Sequence, residues 1–263
     1  MNEACKNALI DLLFQLADDD FLYAFRGSEW LGLVPHIEED VASASITQDS
    51  MGHSSMYYSL LEELGLGPVD VLSHARKAEE RKNCVLVEKA NGSGHYMEEP
   101  HYDWAYAVCR NYLYTVAKKV KVAALKKSAY QPLAHIAAKV EMELYYHEAH
   151  WRTWFTQLAC SNQEAAERMK KALQRVMDDW HDVFSLGAHS EKIVSCGFLV
   201  SEKELQANWE AIVLPLFSKC RLHLPASANP HPLNGRLGEH SADLNIALAI
   251  LSEVYLADQQ AIW

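Results

Sequence analysis

The chain has 263 residues, 49% of them hydrophobic, which is ample material for a packed core and excludes a disordered segment. A formal net charge of -11 excludes the basic face that nucleic-acid binding requires and disfavours adsorption to anionic lipid. No run of about 18 apolar residues occurs, so no membrane-spanning helix is expected, and Gly 11 with Pro 8 is too few for a turn-rich all-β fold.

The opening stretch MNEACKNALIDLLFQLADDD has acids on both sides of a short apolar run and no small-residue cleavage site, so a cytoplasmic location is expected. Helical spacing predicts a first helix over 4–27. Pro35 opens a second helix that reaches about Leu64 and stops at GLGP, 65–68. Residues 69–100 read as a short helix and irregular chain, with CVLVE (84–88) as a brief extended segment and NGSG (91–94) as a turn. A third helix is expected over 101–127 and a fourth over 132–159, opened by Pro132. SNQE (161–164) reads as a capping box, with Ser161 as the cap, for a fifth helix to about 186. SEKE (201–204) reads as a second box, for a helix ending near Lys219; a long loop (227–241) and a last helix (241–258) follow. The expectation is an all-α, single domain over 1–263, a ferritin-like bundle of about six to seven helices. Six scattered cysteines without a CxxC pair are expected to be buried free thiols.

Chemistry concentrates on two helices. At 100° per residue, Ala42, Ile46, Asp49, His53, Met56 and Leu60 share one stripe of the second helix. Ile136, Val140, Glu143, His147, His150 and Trp154 share one stripe of the fourth. Because 143 − 49 and 147 − 53 both equal 94, the acid and imidazole recur at a fixed offset, which suggests a duplicated helical hairpin. A dinuclear iron or manganese bundle needs Glu-x-x-His on such helices. Ser50 and Leu144 stand where that Glu belongs, so the expected role of each acid–His pair is mutual hydrogen bonding in the bundle centre. Of the run Asp18, Asp19 and Asp20, one acid (Asp18 is the candidate) is expected inward and two in solvent. Lys118, Lys119, Lys121, Lys126 and Lys127 read as a solvated face, with Lys118, Lys119 and Lys121 as candidates for contact with a ligand phosphate or an acidic partner. HEAH (147–150) lacks the spacing of a zinc protease, and Tyr57-Tyr58 and Tyr145-Tyr146 read as core and interface packing.

The stretch GSEWLGLVPHIEEDVASASITQDSMGHS, with Glu29, Trp30, Gly32, Pro35, Glu38, Asp40, Asp49 and Gly52, resembles the structural C subunit family of bacterial phenylacetyl-CoA epoxygenases. His53 stands where that family commonly has Gln. Glu143, Tyr146 and His147, LVEKANGS (86–93), WEAIV (209–213) and the closing GRLGEHSADLNIALAILSEVYLADQQAIW, down to Trp263, are also similar. The resemblance implies a ferritin-like, non-catalytic subunit with no cofactor of its own, in which Asp18, Asp49, His53, Glu143 and His147 are remnants of a degenerate metal site. It further implies a heterodimer with a di-iron catalytic subunit, accessory subunits, a separate reductase, and NADPH- and O₂-dependent epoxidation of phenylacetyl-CoA. Alone, such a chain is expected to form a homodimer. Two other readings stay open: a divergent di-metal carboxylate oxygenase using Asp18–Asp20, Glu39, Asp49, His53, Glu143 and His147, and a stand-alone helical protein that binds a small molecule.

Overall fold

In a computed structural model, residues 1–259 and 261 are described; Trp263, the last residue of the family-like stretch, lies outside them. The chain is all-α, as the ferritin-like bundle requires, and among the described residues there is no strand beyond an isolated bridge between Gly92 and Tyr102. Its residues fall into two compact units, Met1–Ala90 with the segment from Leu233 onward, and Asn91–Pro232.

The first unit is built on α1 (Glu3–Ser28) and α2 (Ile37–Glu63). They run antiparallel, with Tyr58 beside Asp18, His53 beside Asp20 and Thr47 beside Gly27. Asn2 caps α1 by accepting the Cys5 N–H at 2.8 Å. α2 ends as the GLGP signal predicts: Gly65, at φ +87°, donates to the Glu62 carbonyl and Leu66 to the Leu61 carbonyl, a Schellman motif. α1 is enclosed on every side over its second half, so Gln15 to Arg26 are all buried, the polar residues among them included. CVLVE is not extended. Val85–Glu88 forms a single helical turn, α3, whose entry is fixed when the Cys84 N–H donates to Asp19 at 2.7 Å. That long-range bond overrides the β preference of two valines. The last helix is broken at Ser252 into α9 (Ala242–Leu251) and α10 (Glu253–Ala257); the long loop before it contains a short turn, Gly235–Leu237.

The second unit contains α4 (Trp104–Leu125), α5 (Gln131–Ala159), α6 (Gln163–Asp178), α7 (Ser190–Ser195) and α8 (Glu202–Lys219). α4 and α5 are antiparallel, with Tyr112 against Phe155, Lys119 against Glu148 and Lys126 against Glu141. The two hairpins related by the 94-residue offset thus fall one in each unit. α4 starts three residues later than expected because Asp103 is its cap, accepting the Ala105 and Tyr106 N–H groups. α6 is capped by Asn162 rather than Ser161, and it stops at Asp178 instead of near 186. Ser201 caps α8 as expected. Trp209 on α8 donates to the Leu113 carbonyl at 3.1 Å and stacks on Trp180, locking α8 to α4. Cys84, Cys109 and Cys220 are buried free thiols; Cys160 is a free thiol but exposed, and Cys5 and Cys196 are disulfide-bonded, which corrects the expectation of six buried free thiols.

Candidate functional site

The three aspartates of α1 form the centre of the first unit, and none is solvated. Asp18, Asp19 and Asp20 are 0%, 3% and 2% exposed, which corrects the expectation that two of them face water. Three successive positions sweep 200° around a helix, so they can all be buried only where protein surrounds the helix. Each then meets a different partner.

Asp18 accepts from the Tyr58 hydroxyl at 2.5 Å and from the Lys82 N–H at 2.8 Å, and it is ion-paired with Arg76 and with Arg81 at 3.2 Å. Burial alone pushes its carboxyl up, but the two guanidinium charges and the hydrogen bonds from Arg76 and Tyr58 outweigh it and hold the group below its ordinary value. The same environment, burial first and the Asp18 charge second, drives the Tyr58 phenol well up, so it stays a donor. Arg76 also lies over the Phe14 ring at 4.3 Å. Asp19 takes a bidentate fork from Arg236, at 2.8 and 2.7 Å, while Arg236 also donates to the Lys82 carbonyl at 2.7 Å. Asp20 faces His53, whose Nδ1 lies 4.0 Å from Oδ2. The Tyr57 hydroxyl is buried nearby, its phenol raised by burial and then by the Asp20 charge.

A fourth acid completes the centre. Glu88, at the end of α3, accepts from Asn83 at 2.8 Å and from the Ser241 N–H at 2.6 Å, and pairs with His240 Nδ1 at 2.7 Å. The other His240 nitrogen meets the Arg81 carbonyl at 3.1 Å. With an acceptor at each ring nitrogen, we assign hydrogens to both. Burial lowers the affinity of this imidazole for a proton, yet the Glu88 hydrogen bond and charge reverse that, and the net direction is up. Gly235 makes the approach possible, because a Cβ there would meet the Asn83 carbonyl oxygen at 2.0 Å.

The sequence-derived stripes are rotated from the true inner faces. On α2 the buried seam runs through Glu39, Ser43, Ile46, Ser50, His53 and Tyr57; Asp49 is half-buried at its edge. On α5 it runs through Val140, Leu144, His147, Trp151 and Phe155, with Glu143 half-buried. His53 and His147 are therefore inward as expected, whereas Asp49 and Glu143 flank the seam. Ser50 and Leu144 occupy it. Asp18, Asp49 and His53 belong to the first unit, Glu143 and His147 to the second. Within neither unit do three or more His, Cys, Asp or Glu side chains gather as a metal-holding group among the described residues. Around Asp18 and Asp19, guanidinium groups stand in the places a divalent cation would need, so the carboxylates there do not fit a metal.

Lys118 and Lys121 are only 7% and 6% exposed, because α4 is enclosed on nearly every side; the solvated face expected of this segment is limited to its end. Lys119 is ion-paired with Glu148, and Lys126 with Glu141 at 2.5 Å. Glu148, unnoticed inside HEAH, also lies 3.9 Å from Arg152. Tyr57 and Tyr58 are core residues, but Tyr145 and Tyr146 are 63% and 72% exposed. Sequence reasoning missed Arg76, Arg81, Arg236, Glu88 and His240. The available signal was the DDD run inside LLFQLADDDFLYAF, since three acids in an apolar helix require buried cations from elsewhere in the chain.

Two comparisons bear on identity. The chain is 27% identical over 244 residues, 92% of its length and 94% of the relative's, to the C subunit of the 1,2-phenylacetyl-CoA epoxidase of Escherichia coli strain K12. The model of the phenylacetic acid catabolic protein family matches residues 1–263, and the chain therefore belongs to that family.

Proposed function

We propose that this chain is a non-catalytic structural subunit of a multicomponent oxygenase that epoxidises phenylacetyl-CoA. It would pair with a di-iron catalytic subunit and stabilise it, while accessory subunits and a reductase complete the assembly. The observation that carries this reading is the occupation of the first unit's carboxylate centre by its own cations, Arg76, Arg81 and Arg236, where a catalytic bundle would present acids to iron. Buried Ser50 and Leu144 support it from the helix faces. The name of the Escherichia coli relative, a subunit of a phenylacetyl-CoA epoxidase, supports the substrate and the assembly.

Met142, Tyr145 and Tyr146 on α5, and Ile37 and Val41 on α2, are exposed apolar side chains that suit burial in an obligate interface. In the same reading the chain alone forms a homodimer, and Lys119, the least buried of Lys118, Lys119 and Lys121, is the one that reaches a partner or coenzyme A phosphates. No helix among the described residues is long and apolar enough to cross a membrane.

Co-expression with a di-iron family member tests the role. Expected is a complex that survives moderate salt and, supplied with the accessory subunits and the reductase, turns over phenylacetyl-CoA with NADPH and O₂ only when both chains are present. A catalytic chain fully active without this one would overturn it. A second reading, a divergent di-metal oxygenase, draws on one observation: His53 faces Asp20 with Asp49 half-buried on the same helix.

A further inference from the structure

Two of the free thiols in the second unit lie together. Cys160 follows the last residue of α5 and Cys220 the last of α8, each donating its N–H into the final turn, to Thr156 at 3.0 Å and Leu216 at 2.9 Å. The helix ends meet because Phe155, five residues before Cys160, stacks on Phe217, three residues before Cys220, at 5.4 Å. The Cys160 and Cys220 side chains interact, and residues beside each, Thr156 and Gln157 on α5 and Leu216 and Lys219 on α8, line one groove. Cys160 is exposed and Cys220 is 7% exposed, so solvent reaches one sulfur and the other sits behind it. A groove of about 450 Å³ runs beside them, lined by Arg152, Thr153, Thr156, Gln157, Leu216 and Lys219, wide enough for a small oxidant.

We propose that Cys160 and Cys220 are a reversible dithiol–disulfide site, closed by hydrogen peroxide. The Cys160 thiolate attacks one peroxide oxygen; the S–O bond forms, the O–O bond breaks, and the departing hydroxide leaves as water with the thiol proton. Cys220 sulfur then attacks Cys160 sulfur. The S–S bond forms, the S–O bond breaks, and the hydroxyl takes the Cys220 proton and leaves as a second water. Two thiols are oxidised and one peroxide is reduced to two waters.

The order follows from the environment. Burial first, and the neighbouring Cys160 side chain second, push the Cys220 thiol up to about 12, so it keeps its proton at neutral pH and cannot react first. Both cysteines stand at helix caps, outside the regular turns, so closing the bridge does not require a residue from the middle of either helix. The site depends only on the second unit and stands whether or not the proposed subunit role holds.

Peptide mapping of the isolated full chain under non-reducing conditions, after hydrogen peroxide treatment, tests it. Expected is a Cys160–Cys220 linked peptide, lighter by two hydrogens and returned to free thiols by dithiothreitol. In Cys220→Ser the second step is blocked, and dimedone should label Cys160 several-fold more than in the wild type. The proposal is overturned if Cys160 proceeds to sulfinic acid or bridges two chains while Cys220 remains free. Equal dimedone labelling of Cys160 in the wild type and in Cys220→Ser would also overturn it.

Discussion

Asp19 and Arg236 show what a buried ion pair does in this molecule. The fork places two charges where water is absent, and such a pair contributes little net stability compared with an apolar pair of the same volume. Its removal by halves is another matter. Arg236→Met leaves Asp19 buried without its cation and should lower the unfolding free energy by about 3–5 kcal/mol in urea titrations. Adding Asp19→Leu should recover most of that loss, short by about 1–2 kcal/mol because the Cys84 N–H and the Lys82 carbonyl lose a partner. A double variant as unstable as the single one would show that the charge pair is not what the Arg236 substitution disturbs.

The pH dependence has two signs at the same scale. His240 binds its proton more tightly when folded, so its contribution is fully present below the unfolded value of about 6.5 and is lost as pH rises through the folded value. Asp18 has the opposite sign, with stability present above the unfolded carboxylate value and lost as pH falls through the folded one. The urea midpoint should therefore fall as pH rises above about 6.5 in the wild type and change less in His240→Gln. Equal slopes in the two proteins would remove His240 from the explanation.

At the scale of elements, most boundaries were legible where local chemistry decides them. GLGP ended α2 and Ser201 began α8 because caps and turns act within a few residues. CVLVE was illegible because Asp19, 65 residues away in sequence, fixes its first N–H. The inner faces were off by one position, Asp49 for Ser50 and Glu143 for Leu144, since the helical period gives a stripe but not its centre. The buried cations were hidden for a similar reason: Arg76, Arg81 and Arg236 lie in loops, where an arginine is ordinarily a surface residue. Two backbone positions give contrasting tests by thermal unfolding. Gly235→Ala drives a Cβ into the Asn83 carbonyl and should destabilise by about 1–3 kcal/mol or more. Arg221 closes α8 at φ +54°, and Arg221→Gly should stabilise by about 1 kcal/mol.

For the whole molecule, the expected single domain over 1–263 makes a definite claim on cooperativity. The chain passes between its two units at 90–91 and again at 232–233. One calorimetric transition is expected; two separable ones would divide the chain into two domains.

The subunit role rests on carboxylates already neutralised from within by arginine and histidine, and it is tested most directly by counting metal. Iron per chain should be measured on the isolated protein after aerobic loading with ferrous ion and removal of the excess. The expected result is no more iron than in His53→Ala. About two iron atoms per chain, lost on His53→Ala, would make this chain an oxygenase in its own right and contradict the role proposed for it.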